Sequence, residues 1–146
     1  MQLPAFNNKG DLPEGLHRAT LDEVFRRFGV SSQHRRQVYQ RLVRIYRLAS
    51  ATGYLNRFII FGSFVTSKAD PNDVDILLVM RDDFSLSACF GEPRKLFYHD
   101  EAETEFGTSI FWIRPAMLVQ DTLEEFIGHW QTKRDLGRRG ILEVIG

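Results

Sequence analysis

Apolar residues recur along this chain first at helical and then at strand spacing. From Gln33 to Thr52, Val38, Leu42, Ile45, Ala49 and Thr52 follow one another at intervals of four, three, four and three, one stripe of a helix that Gly53 stops. Upstream, Thr20 followed three residues later by Glu23 has the form of a capping box, opening a short helix from Leu21 that Gly29 closes. Residues 1–19, punctuated by Pro4, Gly10, Pro13 and Gly15, read as an extended or irregular arm. The run Arg57-Phe58-Ile59-Ile60-Phe61-Gly62 fits a buried strand, and Asp73 to Met80 a second, more deeply buried one. Gly91 and Pro93 break residues 86–102, with helix expected in the second half. Gly107 to Ile113 makes a third strand before Pro115. Asp121-Thr122-Leu123-Glu124 has a capping-box pattern and opens a helix through Trp130, and Ile141 to Ile145 adds an edge strand. Helices first, then strands interleaved with helices, predict an α+β fold: a small mixed β-sheet flanked by helices, with an N-terminal helical segment.

Composition leaves that picture intact. With 146 residues, 43% hydrophobic and 26% charged, and no repeat or linker-like run, a single domain over 1–146 is expected, large enough to hold one core without staples. Cys89 is the single cysteine, so no internal disulfide is available, and Cys89 reads as a small buried hydrophobe. The first ten residues lack the apolar core of a signal peptide and no stretch reaches bilayer length, so a cytoplasmic protein without membrane contact is expected.

Nineteen basic and nineteen acidic residues cancel, removing the bulk-charge argument for a nucleic-acid coat. Locally the balance is uneven. Nine arginines lie between His17 and Arg57 against only Asp22 and Glu23, whereas acids lead between Asp82 and Phe106, which predicts an electrically two-sided molecule. Arg35, Arg36, Arg41, Arg44 and Arg47 read as a solvated helix face. Nucleic-acid binding through that helix is the weaker alternative. His17, His34, His99 and His129 share no common spacing and read as surface or packing residues.

One constellation carries chemistry. Phe61-Gly62-Ser63 ends one predicted strand, nine residues intervene, and Asp73-Val74-Asp75 begins the next. Side chains two apart on a strand share a face, so Asp73 and Asp75 pair at one sheet edge. Two such carboxylates repel unless a hard cation joins them, and magnesium favours one or two carboxylates completed by water and phosphate oxygens. Gly62 lets the backbone approach a ligand, and the turn after it aims N–H groups and the Ser63 hydroxyl at phosphate. The structural alternative is a turn rich in turn formers, Asp70-Pro71-Asn72-Asp73, with Asp75 exposed at a strand start. Within the connecting loop, Phe64 and Lys68 are candidates for ligand contact, Lys68 for a phosphate or else as a solvated lysine.

At these residues the chain resembles the nucleotidyltransferase superfamily of DNA polymerase beta type, whose signature is a glycine with glycine or serine followed by two acids one residue apart. The Gly-Ser-Phe-Val-Thr spelling with Pro-Asn-Asp-Val-Asp looks like its small stand-alone bacterial members, the characterised ones resembling kanamycin-type adenylyltransferases or minimal nucleotidyltransferases paired with toxin partners. The resemblance implies a nucleotidyltransferase-like fold and magnesium-dependent transfer of a nucleoside monophosphate from a triphosphate such as ATP to a hydroxyl acceptor. Gly62, Ser63 and Lys68 would then bind the nucleotide, and Asp73 and Asp75 the Mg2+. A third acid is expected on a neighbouring strand. Residues 107–113 contain none, and Ser109 stands where it belongs. Glu105 lies four residues earlier, with Glu103 and Asp100 earlier still, and Glu105 serves only if the chain bends before Gly107, since four residues of straight strand span about 13 Å. The alternative function is a catalytically degenerate nucleotide- or protein-binding module, such as an antitoxin-like partner. So small a domain also leaves the acceptor pocket to a protein partner or a second copy.

Overall fold

The computed structural model describes residues 3–71 and 74–146. The elements in order are β1 (Leu16–Ala19), α1 (Leu21–Val24), a π-helical turn (Phe25–Gly29), α2 (Gln33–Ala51), β2 (Leu55–Phe61), β3 (Asp75–Met80), α3 (His99–Phe106), β4 (Ser109–Ile113), α4 (Leu123–His129) and β5 (Ile141–Val144). The five strands form one mixed sheet in the order β1-β5-β2-β3-β4. β1 runs parallel to β5, β5 and β3 run antiparallel to β2, and β4 runs parallel to β3.

Strand alternation assigns two cores. Phe58, Ile60, Ile76 and Leu78 face α2, whose Val38, Leu42, Ile45 and Ala49 form the apolar stripe. Ile59, Leu77, Val79 and Ile113 face the other way, under Ile127 of α4 and the Trp130 ring. The first turn of α4 is tied to the sheet by charge. Arg57 donates to Glu143 Oε1 at 2.8 Å and to Glu124, while Arg18 lies 3.4 Å from the same Glu143 carboxylate. Hydrogen bonding to Glu143 holds the Arg57 guanidinium above its ordinary pKa. Among the described residues no helix is long and apolar enough to cross a membrane.

Several expected elements shift. The arm is not irregular throughout, because it ends in β1. That strand pairs outside β5, so β5 is an interior strand rather than an edge. The Thr20–Glu23 capping box forms as expected, but the second box is Thr122 with Glu125, one residue beyond the anticipated pattern. Residues 86–98 hold two 3-10 turns before α3 begins. The basic and acidic stretches do not simply face apart: Arg44 of α2 binds Glu92 and, at 2.9 Å, Glu105. Cys89 is buried, as expected of a small hydrophobe.

Because β5 is interior and Leu142 is fully buried, Leu142→Ala is expected to cost about 2–5 kcal/mol, read as a lower urea midpoint.

Candidate functional site

β2 leaves the sheet at Phe61 and turns sharply. Gly62 has φ +88° and ψ −168°, in the left-handed half of backbone space, and caps a 3-10 turn over Ser63–Val65. Thr66 closes the turn, its N–H reaching Ser63 O at 3.2 Å and its hydroxyl donating to the same oxygen at 2.6 Å. A Cβ at Gly62 would fall on Asp75 Oδ2 and lie 3.1 Å from Asp75 Cγ. Glycine is required there twice, for its dihedral and for the approach of the carboxylate.

Strand register explains that approach. Phe61 stands opposite Asp75 across the β2–β3 pair, and Asp75 stands beside Ser109 across the β3–β4 pair. Alternation puts Asp75 on the face of Leu77 and Val79, and Ser109 on the face of Phe111 and Ile113. The floor of this face is aromatic. The Trp130 ring lies 4.8 Å from Phe61 and 4.9 Å from Phe111, and His99 packs 5.6 Å from Phe111.

The loop between turn and carboxylate is held from beneath by Arg35. Its guanidinium donates to Phe28 O at 3.0 Å, Phe64 O at 2.8 Å, Thr66 O at 2.8 Å and Lys68 O, and stacks 5.5 Å from the Phe64 ring. Arg35 is 4% exposed, not part of a solvated face. Burial lowers its pKa, opposed by the Asp70 charge. His34 adds a contact to Pro71 O. A planar donor fork is what lets one side chain hold several carbonyls. The sequence carried a signal for this: position 35 lies three before Val38 and continues the buried stripe 38, 42, 45, 49.

The other site candidates are dispersed. Phe64 is fully buried against Phe28, 6.0 Å between centroids, and packs the core instead of meeting a ligand. Lys68 is exposed on the loop. Asp73 lies outside the described residues, so the pairing of Asp73 with Asp75 has no described geometry. Among the described residues, no three His, Cys, Asp or Glu side chains gather into a ready metal cage. Ser109 occupies the strand position beside Asp75, as read from the sequence. The chain does bend before it, through Gly107 at φ +62°. That bend brings Glu103, not Glu105, to the site: Ser109 Oγ donates to Glu103 Oε1 at 3.3 Å, and His99 Nε2 meets the same oxygen at 3.1 Å. Glu105 points to Arg44 and to Lys95 at 3.6 Å. Hydrogen bonding to Arg44, with the Lys95 charge, holds its carboxyl below the ordinary range.

The chain belongs to a family of unknown function (DUF6932), whose model matches residues 4–145. No curated protein and no solved structure matches it.

Removing the Arg35 fork strands several buried carbonyls, so Arg35→Met is expected to cost at least about 3 kcal/mol in chemical denaturation. Arg35→Lys restores little, because an ammonium cannot span the same acceptors. The Glu105 carboxylate lies elsewhere, paired with Arg44. Its carboxyl pKa is depressed on folding, so its contribution is present at neutral pH and lost as pH falls through the lowered value. The melting difference between the wild type and Glu105→Gln should therefore shrink on acidification and in high salt.

Proposed function

We propose that this member of the family is a magnesium-dependent nucleotidyltransferase with a nucleotidyltransferase-like fold, moving a nucleoside monophosphate from a triphosphate such as ATP to a hydroxyl acceptor. The observation that carries the reading is the approach of the Asp75 carboxylate to the Gly62 turn, so near that a Cβ at Gly62 would meet Asp75 Oδ2. A phosphate seated on the Gly62–Ser63 backbone meets the oxygen of an acidic side chain within one residue's reach. Such a neighbour repels phosphate unless a cation stands between them. Magnesium fits this donor set, because it takes one or two carboxylates and leaves the rest of its shell to water and phosphate. Asp75, with Asp73, would hold it, and it would neutralise charge developing on the phosphoryl oxygens.

The chain's own part is positioning. The backbone of the turn is fixed by Thr66 and by the Arg35 fork, so its course is set before a ligand arrives. Preorganised donors stabilise charge in phosphoryl transfer without covalent help from the protein. Ser109 beside Asp75 favours a second reading, a nucleotide- or protein-binding module without turnover, since serine supplies neither charge nor base.

Incubation with α-labelled ATP, GTP, CTP and UTP and magnesium separates the two. The first reading expects pyrophosphate release that Asp75→Asn lowers by at least on the order of a hundredfold. Nucleotide affinity without release supports the second, and transfer that persists in Asp75→Asn removes Asp75 from the mechanism.

A further inference from the structure

We propose that His99 is the general base of this transfer, with Glu103 as the residue that positions it. The inference rests on the nucleotidyltransferase reading and deepens it, naming the group that receives the acceptor's proton. A hydroxyl attacking a phosphorus must lose its proton, and a positioned side chain takes it. The strand position beside Asp75 is Ser109, whose hydroxyl is too weak a base for that task.

The geometry supplies a substitute one layer above the strand. Ser109 Oγ donates to Glu103 Oε1 at 3.3 Å, and His99 Nε2 lies 3.1 Å from the same oxygen. In the proposal the ring proton is placed on Nε2, toward a carboxylate that only accepts, and the lone pair on Nδ1. The ring is fixed from a second direction by Phe111, 5.6 Å away and 34° from coplanar. Phe111 shares the face of Ser109 and thus of Asp75. Asp75, Ser109 and the imidazole therefore address one side of the sheet. His99 and Glu103 side chains are 48% and 51% exposed, so an acceptor arriving from solvent reaches the ring. Glu103 meets both Ser109 and His99, which couples the imidazole to the strand that flanks Asp75.

In the proposed step the acceptor O–H gives its proton to His99 Nδ1 as the oxygen forms its bond to the α-phosphorus. The bond from that phosphorus to the bridging oxygen breaks, and pyrophosphate leaves with the electron pair. The imidazolium then returns its proton to water. No oxidant or reductant enters.

The test uses the full chain with magnesium and each of ATP, GTP, CTP and UTP, with water as the acceptor, and measures pyrophosphate release. His99→Ala is expected to lower kcat by on the order of 10²–10⁴ with KM for the nucleotide unchanged. Added imidazole should restore part of the rate to that variant alone. Glu103→Ala is expected to lose about tenfold, in the range by which outer-shell orienting partners act, and to gain nothing from imidazole. A His99→Ala rate equal to the wild type, or a loss that imidazole does not reverse, overturns the inference and leaves the transferase reading standing. Absence of release by the wild type with all four nucleotides sinks both. His99→Gln, which keeps a side chain of similar length, replaces the alanine variant if that one melts early.

Discussion

A guanidinium buried in protein needs acceptors for its donors, because taking an unpaired charge out of water costs far more than a fold can supply. Arg35 finds those acceptors on two separate stretches of chain. Phe28 O belongs to the π-helical turn, and Phe64, Thr66 and Lys68 carbonyls belong to the loop after β2. The same bonds satisfy the loop, whose carbonyls would otherwise be buried without partners. Neither side of this bargain stands without the other: the charge stays inside only because the loop curls around it, and the loop keeps its curl only because the charge is there. The dihedral of Gly62 and the nearness of Asp75 depend on where that loop begins and ends.

Much of the architecture was legible where the deciding interactions are local. Thr20 with Glu23, the stripe from Val38 to Ala49 and the glycine stops depend on residues within a turn of each other, and they stand as read. The apolar runs around Ile60, Ile76 and Ile110 are strands for the same reason. Partner choice is another matter. Leu16–Ala19 becomes β1 only through Ile141–Val144, far away in the chain, and no short-range pattern announces it. That pairing is also what moves β5 from the rim of the sheet to its interior.

The closeness of Gly62 to Asp75 was legible because a strand end and a strand start carry fixed directions. Arg35 was not, since composition made it one of many arginines. Its membership of the apolar stripe was the stronger cue. Glu103 is one of the acids upstream of the strand, but its contact depends on a left-handed residue: only once Gly107 folds α3 back does an acid six positions before Ser109 touch it. Glu105, closer along the chain, points instead at Arg44.

The place of β5 between β1 and β2 also constrains how this chain emerges from a ribosome. β2 and β3 pair as soon as both are outside, and β4 joins β3 from the other side, yet one flank of β2 and the whole of β1 wait for Ile141–Val144. Until then a nascent chain carries an open flank on β2 and an unpaired β1, templates on which a neighbouring chain can add itself. The order of synthesis thus leaves the gap between β1 and β2 to be filled last among the strands of the sheet.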